Sequence, residues 1–392
     1  MANRQLHIDQ EAVTTLGLVK KRLLYPVTEL MNEAEAKIAD EMKTHKGITY
    51  PFALVFAPSG KRNEEVLTSI KSNETLDLYF DGKKCGDIIS DGVFKIDKDQ
   101  RVKNIFDTDN IEFPGVKKTY RRLGSYAISG KFTIEYETTV NWKDVVTKHI
   151  QKTEAKRVSS MMIAGKPFHR VHERLIRTAL VKSDLMILFI LKPYEEDDLA
   201  YETRYKTIKY FCDNYLPKEK VLLVPFENTY IFGGFNKLIL KAIVAKNFGC
   251  DELVVGQNKE GLGAVYCKGH FTSILDDIKD IGIDINIMSE FVYCDKCSTL
   301  VSTNTCPHGR HHHINYHSAS ILGLLKMGII PPAIFMRKEI SSMILSDLFP
   351  KRLEELNKIH QHLSPRSDLL DDFNSEDFYE SLMDLYQTSS LT

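Results

Sequence analysis

Over residues 1–152 the chain is built of short stretches in which apolar and polar positions trade places, PFALVFAPSG from Pro51 and SYAISGKFTIEYETTV from Ser125, punctuated by Phe80-Asp81-Gly82 and Ser90-Asp91-Gly92. Alternation of period two broken by Asp-Gly predicts strands joined by turns, hence a β-rich region with a few helices. The rhythm then changes. VSSMMIAG from Val158, DLMILFIL from Asp184, KVLLVPFE from Lys220 and DELVVGQ from Asp251 are near-continuous apolar runs. Between them lie helical patterns opening just after Gly165, over Ala200–Tyr215 and over Phe235–Phe248. Buried strands alternating with helices through short connections predict an α/β domain whose parallel sheet is covered on both faces.

Ligands of such sheets bind beyond the carboxyl ends of the strands, which places Gly165–His169, the segment around Tyr230–Phe235 and Gly256–Gly263 at the expected site. Tyr201, Tyr205 and Tyr210 recur at helical intervals and are read as packing residues. From Pro331 the pattern is one of short helices followed by an acidic tail, DLLDDFNSEDFYESLMDLY. No internal repeat is present. The expected division is a β-rich domain over 1–152, an α/β domain over 153–330 with a Cys/His loop at 290–314, and a small helical region over 331–392.

With 392 residues, 43% of them hydrophobic and 27% charged, each of these regions can form its own core. A net charge of −1 gives no global attraction to nucleic acid or to anionic lipid, so neither is an expected partner. The N-terminus, MANRQLHIDQ, has no apolar signal core, and LMILFIL is too short to span a bilayer. A cytoplasmic protein is expected. Seven cysteines, an odd number with three clustered at Cys294, Cys297 and Cys306, point to metal ligation in a reducing compartment rather than to disulfides. Cys85, Cys212, Cys250 and Cys267 are read as buried small hydrophobes.

The candidate chemistry begins at GKPFHRVHERLIRTAL, from Gly165. A helix N-terminus attracts anions, and His169 and His172, at i and i+3 on one face, add donors that can grip a polyphosphate. The competing reading is a pair of ordinary surface histidines on a first turn.

Four phrases in order then carry a resemblance. Pro167-x-His169-x-x-His172-Glu173 resembles the second half of Q-T-R-N-P-x-H-x-x-H-E in the ATP sulfurylase (sulfate adenylyltransferase) family. Phe113-Pro114-Gly115-Val116 with Ser125–Gly130, FGGFNKLILKAIVAKNFGCDELVVG from Phe232, and GLLKMGIIPPAIFMRKEI from Gly323 resemble further segments of that family. The resemblance implies a PUA-like N-terminal domain, a nucleotidyltransferase domain of the HIGH type and a small C-terminal region. It also implies ATP as substrate with Mg2+, transfer of AMP to sulfate, and self-association as a homodimer. The motif positions carry over as phosphate ligands at His169 and His172, beside Lys166. Pro167, Phe168, Gly234, Gly256, Gln257, Asn258, Lys259 and Gly261 carry over to the nucleotide side, with core packing a competing reading for Phe168. Glu173 complements the helix dipole and needs no catalytic role.

The chain departs from the family where charge matters. Ile163-Ala164-Gly165-Lys166 stands for Gln-Thr-Arg-Asn, Gly256–Gly261 loses the arginine and histidine of G-R-D-H-A-G, His317–Leu322 replaces S-G-T-K-V-R, and Asn236 replaces the arginine of P-R-E-A. Arginine offers a planar fork that Gln or Asn cannot replace, whereas Lys166 and Lys259 restore point charge at most. Three readings are left by this loss: AMP transfer to sulfate through a rebuilt pocket, transfer to a different anionic acceptor, or an inactive relative acting as a nucleotide-binding or structural partner. RNA binding through the PUA-like domain is disfavoured by the charge balance.

Cys294-x-x-Cys297, Cys306, and the histidines His308, His311, His312 and His313 fit a closed tetrahedral zinc site of structural kind. Some family members carry a similar C-P-H-x-x-x-H-H ending. A Cys-x-His pair is a tight bite for one ion, so His312 is expected as the fourth ligand ahead of His308. The competing reading is an exposed histidine loop with free thiols.

Overall fold

The computed structural model describes residues 3–135, 141–193, 198–233, 236–256, 264–267, 270–273 and 278–352, with single positions at 275, 376, 377, 379, 380 and 383. One compact unit comprises Met1–Met162, Ser183–Tyr194 and Val224–Ile287; the other comprises Ile163–Lys182, Glu195–Leu223 and Met288–Thr392.

The first unit opens with β1 (Arg4–His7), α1 (Gln10–Lys20), α2 (Glu33–Met42), the small hairpin β2 (Thr44–His45) and β3 (Ile48–Thr49), β4 (Phe56–Pro58) and α3 (Lys61–Ser69). It continues with β5 (Thr75–Phe80), β6 (Lys83–Lys95), α4 (Lys98–Phe106), α5 (Pro114–Arg122) and β7 (Leu123–Ile134). The sheet order is β1-β5-β6-β7-β4, with β1 parallel to β5 and the β5, β6, β7 and β4 pairs antiparallel. Side-chain oxygens start three of the helices: Asp9 accepts from the Ala12 N–H, Asn32 forms a capping box with Glu35, and Asp97 accepts from the Gln100 N–H. Of the two Asp-Gly signals only one makes a turn. Asp81 and Gly82, both at positive φ, close the β5–β6 hairpin. Asp91-Gly92 lies inside β6, where the ladder with β7 shifts between Ser90 and Gly92. The expected turn is a β-bulge, which inserts an extra residue without ending the strand.

A second sheet holds β8 (Val158–Ile163), β9 (Leu185–Lys192), β10 (Val221–Glu227), β11 (Glu252–Gly256) and, after the hairpin β12 (Ala264–Cys267) and β13 (His270–Ser273), β14 (Asp284–Met288). Its order is β10-β9-β8-β11-β14, and β8 runs parallel to β11 with Ser160 opposite Leu253. The unit also holds α6 (Trp142–Thr153) and α9 (Lys237–Asn247). Every side chain from Leu185 to Ile190 is fully buried, which is why that segment reads as unbroken apolar sequence. Phe189 packs against Phe226 and Phe248 at ring separations of 5.9 and 4.9 Å. The strand order reverses between β8 and β11, the kind of switch point beside which ligands of such sheets bind.

The second unit contains α7 (Arg170–Leu180), α8 (Tyr201–Tyr215), the strands β15 (Phe291–Cys294), β16 (Thr299–Ser302) and β17 (His313–Ile314), and the helices α10 (Ser318–Lys326) and α11 (Lys338–Leu348). Its three strands are ordered β16-β15-β17 and are antiparallel. α8 and α11 pack together, with Thr203 Oγ1 donating to Asp347 Oδ2 at 2.6 Å. The acidic tail from Asp368 lies almost wholly outside the described residues. Among the described residues no helix is long and apolar enough to cross a membrane.

Candidate functional site at the N-terminus of α7

The chain leaves β8 through Ala164 and turns at Gly165, whose φ of +61° is a left-handed conformation that favours glycine. A Cβ at Gly165 would stand 2.9 Å from Ile208 Cδ1, so glycine is required there by space as well as by backbone. Phe168, expected on the nucleotide side, is fully buried; its ring stacks on His172 at 5.5 Å and meets Phe211 at 5.3 Å. Its position is that of a packing residue which props the second histidine.

His169 is the extended N-cap of α7 and is 4% exposed. Its backbone N–H donates to His172 Nδ1 at 3.2 Å, and the two rings lie 4.0 Å apart. His172 thus supplies the third-position half of a capping box, its ring accepting from the N-cap N–H. His169 Nε2 also lies 3.0 Å from Ser318 Oγ on α10. Lys166 is half-buried, and its charge is felt by Asp198, which itself binds Lys326 Nζ at 2.7 Å. The lysine side of this loop thus already shares a carboxylate.

Glu173, one residue beyond the pair, is buried and receives Arg337 Nε at 3.0 Å to each oxygen, Arg337 Nη2 at 2.9 Å and Arg170 Nη1 at 3.4 Å. Arg337 is the N-cap residue of α11 and lies over the Tyr215 ring at 3.6 Å. The Arg170 N–H donates to Phe335 O at 2.9 Å, and Arg170 Nε to Ala333 O at 3.2 Å. The start of α7 is thereby fastened to the segment 333–337.

The other charge-bearing positions are placed as follows. Gly256 is the last residue of β11. Gly234, Gln257, Asn258, Lys259 and Gly261 lie outside the described residues. Asn236, standing where the family phrase has arginine, donates from Nδ2 to Asn104 O at 3.1 Å beside the start of α9.

At the end of β15 and in the connections that follow it, Cys294, Cys297, Cys306 and His308 bring their ligand atoms within 4.8 Å of one another. His308 Nδ1 lies 3.4 Å from Cys294 Sγ, 3.2 Å from Cys297 Sγ and 3.7 Å from Cys306 Sγ, and Cys297 and Cys306 are 3.9 Å apart. A tetrahedral ion with metal–sulfur bonds of about 2.3 Å and metal–nitrogen bonds of about 2.0 Å needs edges of about 3.5 to 3.8 Å. The donor set fits a metal ion. The histidine differs from the expected one: His312 turns away to pair its Nδ1 with Asp295 Oδ1 at 2.8 Å. The tight Cys-x-His bite is met because His308 approaches through Nδ1, the ring nitrogen nearer its own backbone. His313 Nε2 lies 3.3 Å from Cys306 Sγ, outside the four-atom cluster. Burial pushes the Cys212 and Cys250 thiols up to about 12, which leaves both inert.

A match to the ATP-sulfurylase family spans residues 138–347, and a match to a PUA-like domain spans 2–136. The chain belongs to the ATP-sulfurylase family. A sulfate adenylyltransferase of Chloroflexus aurantiacus is 25% identical over 351 residues, covering 86% of this chain and 90% of that protein. One of Carboxydothermus hydrogenoformans is 27% identical over 274 residues, 67% of this chain and 71% of its own length. Among solved structures, the hexameric APS kinase from Thiobacillus denitrificans superposes with a TM-score of 0.67 at 16% identity, over 90% of this chain and 64% of that chain. That likeness shows a shared fold, and this chain spans under two thirds of that protein's length. Its relatives in the ATP-sulfurylase family are sulfate adenylyltransferases, and the chain is similar to them over most of its length.

Within this family member, three residues near the site carry no local sequence signal strong enough to single them out. Ser318 and Arg337 act across 149 and 164 residues of chain. Arg204 is fully buried on α8, and its Nη1 donates to Ala164 O at 3.1 Å, holding the loop that ends at His169. Arg204, Ile208 and Phe211 follow the apolar period of α8, which marks the arginine as buried but does not point to its partner at Ala164.

Proposed function

We propose that the chain binds ATP at the start of α7 through His169 and His172, with Lys166 as the neighbouring cation, and transfers AMP to an anionic acceptor that sulfate matches poorly. The observation that carries this reading is the pair of facing imidazoles on the first turn of a helix that follows a switch-point strand. In adenylyl transfer an oxyanion attacks the α-phosphorus, pyrophosphate leaves, and charge grows on phosphate oxygens that helix N–H groups and imidazole donors stabilise. Gly256, Gln257, Asn258, Lys259 and Gly261, with Gly234 and Pro167, are assigned to the nucleotide side. Mg2+ accompanies the polyphosphate as counter-charge. Cys294, Cys297, Cys306 and His308 are assigned to a structural zinc, whose four positions are then all filled by protein. The proposed domains are 1–152, 153–330 and 331–392, and self-association is expected by analogy with the hexamer named for the Thiobacillus protein.

Sulfate is disfavoured because Gly165 and Asn236 stand where the family phrases carry arginine, and both are committed otherwise, Gly165 against Ile208 and Asn236 to Asn104. The test is calorimetric titration with ATP together with ATP–pyrophosphate exchange in the presence of sulfate, molybdate or a small carboxylate. ATP binding with exchange driven by an anion other than sulfate supports the reading. ATP binding without exchange for any anion identifies the inactive, nucleotide-binding relative. Absence of ATP binding removes the proposal.

A further inference from the structure

The first compact unit holds a cavity of about 290 Å3, none of whose lining residues belongs to the proposed ATP site. It lies between α1, β4 and the end of α5, and much of its wall is apolar, with Leu16, Leu30, Leu54, Phe56 and Leu123 facing the space. That volume equals roughly ten water molecules at about 30 Å3 each, which is room for an organic body of roughly ten non-hydrogen atoms. Leucine and phenylalanine walls give water few partners, so an apolar body gains by replacing it.

One end of the cavity is charged. Asp9 and Arg122 line it and form a forked pair, Arg122 Nε to Asp9 Oδ2 at 2.6 Å and Arg122 Nη2 to Asp9 Oδ1 at 2.5 Å. The remaining nitrogen, Nη1, meets Glu11 Oε2. Glu11 is 2% exposed, neither of its oxygens makes a hydrogen bond, and Arg122 is its one ion-pair partner among the described residues. Two carboxylates therefore share one guanidinium, and all three of its nitrogens are taken. Arg101, whose charge reaches Tyr230 at this end of the cavity, is matched by Asp40 at 3.8 Å. Three carboxylates thus stand against two guanidiniums, an excess of one negative charge in a partly buried place, where an unbalanced charge is costly. An anion finds no uncommitted guanidinium nitrogen at Arg122. A cation finds carboxylates that are only half neutralised.

We infer that this cavity binds a small organic ammonium, its hydrocarbon or aromatic body against Leu16, Leu54 and Phe56 and its charged end on Asp9. The test is titration of the full chain with phenethylamine, phenethyl alcohol and phenylacetate, three bodies of similar shape with a positive, a neutral and a negative end. At about pH 8 an alkylamine is charged and a histidine of ordinary pKa is not, so the comparison isolates the carboxylates. The amine is expected to bind with a Kd below about 1 mM and about tenfold more tightly than the alcohol, with phenylacetate weakest. Amide shifts should centre on Ala12, Thr119 and Leu123. Glu11→Gln keeps the size of the side chain and removes the excess charge, so the amine should lose its advantage while the affinity for the alcohol holds. Ala12→Leu fills the cavity from α1 and should abolish binding of both ligands without lowering the melting temperature. An amine that fails to bind at about 10 mM, one that binds no more tightly than the alcohol, or a preference that survives Glu11→Gln overturns the inference. Undiminished binding in Ala12→Leu puts the ligands elsewhere on the chain and overturns it as well.

Discussion

At the scale of single residues, Gly165 decides how the lost arginine can be tested. Restoring an arginine there meets two obstacles: a left-handed backbone, which costs a side chain about 1–2 kcal/mol, and the Ile208 Cδ1 methyl 2.9 Å from the new Cβ. Gly165→Arg alone is therefore expected to lose about 1–3 kcal/mol of stability in urea unfolding without a clean gain in sulfate-dependent exchange. Ile208→Val removes the offending methyl, so Gly165→Ala should cost measurably less in an Ile208→Val background than in the native one. Equal costs in the two backgrounds would show that backbone strain alone is at work. The Glu173–Arg337 pair invites a sharper comparison. Both side chains are largely buried, and removing one partner strands the other's charge, so Arg337→Met is expected to destabilise by about 3 kcal/mol or more. The double variant Glu173→Leu with Arg337→Met should recover much of that loss, because no charge is then left buried without a partner. A double variant as unstable as the sum of the two singles would refute the coupling.

Elements repeat the lesson that local pattern and distant contact report different things. Cys297→Ser is expected to release the metal and melt the β15–β17 strands first, with the unmodified chain holding about one zinc when purified without chelator. Elemental analysis and hydrogen exchange check the two halves of that statement, and a metal-free protein with ordered strands would contradict it. The same strands show where sequence reading stops. The three cysteines are legible from spacing, because a Cys-x-x-Cys turn needs only local chain. The choice between His308 and His312 is not legible, because it depends on which ring nitrogen faces the thiols and on Asp295 capturing His312. β8, β9 and β11 could be drawn from apolar runs alone, since strands buried on both faces carry few polar positions to confuse the period, and half-exposed β10 is still apolar from Val221 to Val224. The first 130 residues were less transparent: α1 to α5 lie between short strands, and Asp91-Gly92 has a turn's composition but serves as a bulge facing Gly130. At the start of α7 the histidines and the turn were visible, while Ser318, Arg204 and Arg337 were not, because their partners are distant in the chain.

For the whole molecule the expected outcome is weak or absent sulfate-dependent pyrophosphate exchange alongside retained ATP binding. Losing one charge-assisted contact to a reacting anion typically costs about 3–4 kcal/mol, and at least two arginine positions here are occupied by residues with other commitments. Exchange at rates matching the relatives named above would show that Lys166 and Lys259 suffice. The way the chain is threaded bears on how such a change can be inherited. It passes between its two compact units at Met162–Ile163, Lys182–Ser183, Tyr194–Glu195, Leu223–Val224 and Ile287–Met288, so each unit is encoded in three separate pieces. A single genetic crossover cannot deliver one unit whole without breaking the other. In a protein threaded this way, a change confined to one unit is made by rewriting its loops in place and not by trading modules.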